Sequence, residues 1–183
     1  MTATYRDAVF ISTDSHVTEP IALYEAGVPA AFRDRVPRIV DRDGWRTLVV
    51  EGLDPRKLMP ASALADAVIG DVDTASRRAD QERDGVSAEV VFPTFALQAC
   101  FASDDPALQA ALCRAYNDWA MDVLGGEHRV LPVGLVPMLD LDVAIDIAHG
   151  LADDGCRALF LPARVRQRPY NDGDYDRFWS VAE

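Results

Sequence analysis

Four short apolar runs, separated by stretches with helical periodicity, most constrain what this chain can fold into. They occupy residues 8–13, 88–92, 130–136 and 157–161. The runs are nearly continuous rather than alternating, the pattern of strands covered on both faces. Residues 73–83 read as a polar helix ending at Asp84-Gly85. Asp104-Asp105-Pro106 opens a longer one, with acids at the positive end of the helix dipole and proline in the first turn. Its Leu108, Ala111, Leu112, Ala115, Trp119 and Leu124 fall on one stripe, and Gly125-Gly126 stops it. Residues 140–154 repeat the pattern, with Leu141, Ala144, Ile145, Ala148 and Leu151 inward and Gly155 as the stop. Asp174 opens a last helix carrying Phe178, Trp179 and Val181. Strand and helix alternating in this way predict an α/β fold with a parallel sheet under helical cover.

The segment after the first strand departs from that rhythm. Residues 20–27 and 29–33 can form short helical turns. Residues 38–50 read as a hairpin closed by Asp41-Arg42-Asp43-Gly44. Residues 53–70 hold proline, glycine and methionine without a period and are expected to be a loop or flap. A small hairpin-and-loop insertion from about 36 to 70 is the prediction.

Composition narrows the function classes. The chain has 183 residues, 49% hydrophobic and 26% charged, enough to bury an ordinary core. Its net charge of −12 argues against nucleic acid or an anionic membrane as the main partner. A carboxylate substrate stays open, because one arginine or a metal ion outweighs the global field locally. Cys100, Cys113 and Cys156 are odd in number and form no Cys-x-x-Cys pair, so they are expected to be reduced thiols in the cytoplasm. No basic-then-apolar leader opens the chain, and no apolar run is long enough to span a bilayer.

The chemistry-bearing candidate lies where the first strand ends, in Ser12-Thr13-Asp14-Ser15-His16-Val17-Thr18-Glu19-Pro20. Strand residues alternate faces, so Asp14 and His16 should point the same way, with Ser15 opposite. A carboxylate and an imidazole together begin a divalent-metal site, although a catalytic metal takes at least three protein ligands. Taken alone, the tripeptide is more simply read as Asp14 capping a turn and His16 bonding locally.

The longer context resembles the metal-dependent amidohydrolase superfamily, in its amidohydrolase-related branch with aminocarboxymuconate-semialdehyde decarboxylase. Besides Asp-Ser-His-Val-Thr-Glu-Pro, the resemblance is carried by Arg83-Asp84-Gly85-Val86, Phe92-Pro93-Thr94, Ala115-Tyr116-Asn117-Asp118-Trp119 and Pro132-Val133-Gly134-Leu135-Val136-Pro137-Met138. It implies a (β/α)8 barrel with its chemistry at the C-terminal strand ends, of which this chain is the N-terminal half, since such barrels need about 250 residues. It also implies a divalent metal, zinc in the first place and manganese as the other option, held in part by Asp14 and His16. Close relatives often carry His-x-His or Glu-x-His there, so the aspartate is a departure. The remaining ligands, two histidines and an aspartate, follow later strands in relatives, and proton transfer is expected from that half too. His128 and His149 fall outside the pattern and are expected to be structural or exposed.

Secondary candidates follow from position. Thr94 and Arg164 come after the second and fourth strands and are candidate substrate contacts, the arginine for a carboxylate. Glu19 is a candidate to brace His16 from behind, or an ordinary loop acid. Asn117 and Trp119 sit on a cover helix, where packing explains them better. The expected function is hydrolysis or non-oxidative decarboxylation of a small carboxylate or aromatic acid. The alternative is a non-catalytic α/β half-barrel module acting only with a partner chain. Either way the fourth strand is expected to leave an open edge, favouring self-association or a complementing chain.

Overall fold

The computed structural model describes residues 9–62, 74–165 and 168–183. Parallel strands and covering helices alternate along it. Strand β1 (Phe10–Val17) is followed by α1 (Ala22–Gly27) and a 3-10 turn (Ala30–Arg35). Three strands of an antiparallel sheet come next, β2 (Arg38–Arg42), β3 (Trp45–Val49) and β4 (Arg56–Pro60). The main rhythm resumes with α2 (Thr74–Asp84), β5 (Val86–Pro93), the short α3 (Ala96–Ala99) and α4 (Pro106–Leu124). It continues through β6 (Val130–Pro132), β7 (Gly134–Leu135), α5 (Leu141–Asp153), β8 (Leu159–Phe160) and α6 (Asp176–Ala182).

β1 pairs with β5, β5 with β6, and β7 with β8, every pairing parallel. β6 and β7 are one predicted strand interrupted at Val133, whose N–H bonds back to Val91 while Gly134 bonds onward to Ala158. The interruption hands the strand from one neighbour to the next. Asn117 of α4 secures the second half, its side-chain amide exchanging hydrogen bonds of 2.9 and 2.8 Å with the Leu135 backbone.

α4 and α5 begin where their sequence signals place them, whereas Asp174 lies in a 3-10 turn (Gly173–Tyr175) that precedes α6. Asp105 accepts from the N–H groups of Ala107 and Leu108, and Asp140 from those of Asp142 and Val143, each satisfying orphan donors of a first turn. α4 is the central cover helix. Its Leu108, Leu112, Cys113, Ala115, Tyr116 and Ala120 pack with Leu23, Tyr24, Val133 and Leu135 in the larger core cluster. A second cluster joins α5 to α6 through Ile147, Ala148, Leu151, Tyr175 and Phe178. At Gly27 a Cβ would come within 2.7 Å of the Ala115 Cβ, so α1 rests on α4 at a distance only glycine permits.

The antiparallel sheet falls within the predicted insertion. Its hairpin turns at Asp43 and Gly44, both at positive φ, the primed turn that matches strand twist. β4 corrects the expectation of an unstructured loop from residue 53. Arg56-Lys57-Leu58-Met59-Pro60 lacks alternation, and its strand character comes from pairing with β3. Of the loop or flap expected over 53–70, residues 63–70 lie outside the described residues. Arg35 anchors the insertion, bonding Glu51 through two nitrogens at 2.8 and 2.6 Å and Asp105 through a third at 2.8 Å. Those hydrogen bonds hold both carboxyls below their usual range.

β1 differs most from expectation. A strand covered on both faces was predicted, yet Val9, Phe10 and Ile11 are 74%, 47% and 57% exposed. Among the described elements it has a neighbour, β5, on one edge only.

Candidate functional site

Parallel pairing puts the C-terminal ends of β1, β5, β7 and β8 at one end of the molecule. His16 and Val17 lie opposite Phe92 and Pro93 in the β1–β5 register. Just before them β1 takes an extra residue, three steps from Ser12 to Ser15 matching two from Glu89 to Val91. This bulge brings the Ser12 and Ser15 hydroxyls within 2.8 Å of each other, so strict alternation fails between those two residues.

Asp14 and His16, two residues apart, face one another. The His16 Nε2 is 3.5 Å from an Asp14 carboxylate oxygen, with the histidine side chain 45% exposed and the aspartate 87%. The other ring nitrogen, Nδ1, lies 3.1 Å from the Pro93 carbonyl oxygen. A carbonyl can only accept, so this contact calls for a proton on Nδ1, and in the neutral ring Nε2 then presents its lone pair beside Asp14. Two atoms on a tetrahedral zinc, at bond lengths of about 2.0–2.1 Å, sit roughly 3.4 Å apart. The donor pair therefore fits two corners of such a site. Among the described residues no group of three or more His, Cys, Asp or Glu side chains could hold a metal ion.

Glu19 is 1% exposed and does not brace the His16 ring directly. It reaches the turn after β5, where one oxygen accepts from Thr94 N at 2.9 Å. The other accepts from Phe95 N, Ala96 N and the Tyr24 hydroxyl. Every partner is a donor, which suits a carboxylate. Burial pushes the Glu19 carboxyl above its usual value, and the backbone N–H groups pull it part of the way back.

Thr94 is half-buried, its hydroxyl donating to the Val17 carbonyl at 2.9 Å. It stitches β1 to β5 beside His16. Arg164 is exposed beyond β8, where it shares a small cleft of about 60 Å³ with Phe101, Gln109, Met138 and Leu139. A row of rings connects the two places. His16 lies 6.0 Å from Phe92, Phe92 lies 6.1 Å from Phe160, and Phe160 lies 6.0 Å from Phe101. His128 and His149 are exposed, one in the turn before β6 and one on α5.

Sequence reasoning missed a buried polar group behind the site. Arg77 of α2 donates to the His16 carbonyl at 2.7 Å and to Glu89 at 3.0 Å, while Gln81 also donates to Glu89 at 2.8 Å. The signal was Glu89 itself, a lone charge inside an apolar strand. With Ser12, Ser15 and His16 these residues line a cleft of about 360 Å³. A larger cleft of about 630 Å³, between the turn after β7 and residues 168–177, contains none of the candidate residues, and its Arg168 and Arg177 pair with Asp174 and Asp142.

No protein-family model matches the chain, and neither does any curated protein. Among solved structures it is similar to an amidohydrolase from Mycobacterium avium subsp. paratuberculosis K-10, with a TM-score of 0.73 and 17% identity. The match covers 95% of this chain and 56% of that one, so the chain spans little more than half the length of its structural neighbour. Among the described residues no helix is long and apolar enough to cross a membrane. Strand order, helical cover and this likeness together establish an amidohydrolase-like α/β fold.

Proposed function

We propose that this chain contributes the first half of the barrel of an amidohydrolase-related metalloenzyme acting on a small aromatic or carboxylate substrate in the cytoplasm. The observation that carries the reading is the His16 ring, held by a backbone carbonyl at Nδ1 and open at Nε2 beside Asp14. A ligating histidine characteristically donates its second nitrogen in this way. Asp14 and His16 would hold a divalent ion, zinc in the first place or manganese. Such an ion supplies Lewis acidity toward a carbonyl or an acidified water. The remaining ligands and the proton-moving groups come from a complementing segment or chain.

Hydrolysis is the leading reaction, in line with the structural neighbour being named an amidohydrolase. Decarboxylation is the second, favoured by the row from His16 through Phe92 and Phe160 to Phe101, which offers a floor for an aromatic ring with Arg164 beyond it to hold a carboxylate bidentately. Thr94 keeps its hydroxyl on Val17 and shapes the edge of that floor.

The test is zinc content and zinc affinity of the full chain with and without His16→Ala. Substitution is expected to weaken binding at least tenfold. Unchanged affinity would overturn the metal reading and favour the non-catalytic module. Loss of binding, with hydrolytic or decarboxylating turnover appearing only once a complementing half is supplied, is the result expected of the enzyme.

A further inference from the structure

Glu19 and His16 bind opposite ends of a single peptide unit. The carbonyl of Pro93 accepts from His16 Nδ1 at 3.1 Å, and the N–H of the same peptide, that of Thr94, donates to Glu19 Oε2 at 2.9 Å. The peptide is planar and resonance-stabilised, so drawing electron density toward the N–H from one side enriches the carbonyl oxygen on the other. We infer that Glu19 is a positioning residue acting on His16 through the Pro93–Thr94 peptide. It fixes the imidazole in the Nδ1–H tautomer and strengthens Nε2 as a ligand. This rests on the metal reading above only for its consequence, metal affinity. The tautomer is a property of the protein by itself.

A purely architectural role explains less. The two strand ends are already joined by register pairs at His16–Phe92 and Val17–Pro93 and by the Thr94 hydroxyl on Val17. Burying an ionised carboxylate to hold one four-residue helix is costly, and an aspartate or serine cap would do so from the surface. What a surface cap would not do is place a negative charge on the peptide that carries the histidine. Metal-bound histidines donate their second nitrogen to a carboxylate, a backbone carbonyl or water. Here a carbonyl receives it, with the Glu19 carboxylate one peptide group behind.

Glu19→Gln separates the contacts. A glutamine carbonyl at the Oε1 position keeps the Phe95, Ala96 and Tyr24 donors, while its NH2 group replaces Oε2 opposite Thr94 N and cannot accept. Tyr24→Phe is the complementary control, removing a Glu19 contact that is not part of the relay. The readouts are the 15N shifts of the His16 ring near neutral pH and the dissociation constant for zinc by chelator competition. The unmodified chain is expected to show the Nδ1–H tautomer, Tyr24→Phe to retain it, and Glu19→Gln to shift toward a mixture with zinc affinity about tenfold weaker. A mixed tautomer in the unmodified chain overturns the inference without any variant. So does a folded Glu19→Gln protein with an unshifted tautomer. If no variant or parent binds zinc while the tautomer still responds to Glu19→Gln, the relay stands and the metal reading fails.

Discussion

Glu19 is a carboxyl whose burial raises its pKa above the ordinary 4.5. The folded protein therefore holds that proton more tightly than the unfolded chain does. Its contribution to stability is fullest below pH 4.5 and declines as pH rises through the folded value. Urea titrations at a series of pH values should show the stability of the parent relative to Glu19→Gln falling as pH is raised from 4.5. A gap that is flat or widens would contradict the burial argument. Residue-scale legibility divides along the same line. Asp14 and His16 stood out because two residues of strand set them side by side, a purely local fact. What Glu19 does was invisible, because the backbone N–H groups it accepts from lie 75 and more residues away in sequence. Asp-Ser-His also gave no sign of the bulge, which arises from a mismatch between two strands and belongs to neither alone.

At the scale of elements, α4 and α5 were readable from their caps, since Asp105 and Asp140 act on the first turn of the helix they begin. β4 and α3 were not. β4 owes its form to β3, and α3 owes its first N–H bonds to a carboxylate on another segment. How the insertion meets the main fold is equally non-local. Gly52, at φ +90°, lies so close to the 102 carbonyl that a Cβ would stand 2.4 Å from it. Gly52→Ala should cost about 2–4 kcal/mol from backbone strain and overlap combined. In hydrogen exchange, the insertion strands β2–β4 should lose protection before β5 and α4 do. Equal loss everywhere would mean that the insertion and the main fold open as one unit.

At the scale of the whole molecule, the start of β1 is exposed at Val9, Phe10 and Ile11, and among the described elements one edge of that strand has no partner. Edges of this kind recruit further strands. Sedimentation equilibrium of the chain should show self-association that Ile11→Lys weakens on the order of tenfold, the free energy of burying one such side chain. A chain that stays monomeric at high concentration would count against a complementing or self-pairing role for that edge. The link between His16 and Glu19 has a different reach. Its middle member is main chain, and any residue except proline at position 94 supplies the N–H that Glu19 receives. Evolution can therefore rewrite side chains 93 and 94 without touching the connection. Only its two ends are open to selection, so among descendants of this sequence positions 16 and 19 should be lost or kept together while the peptide joining them leaves no trace in the letters.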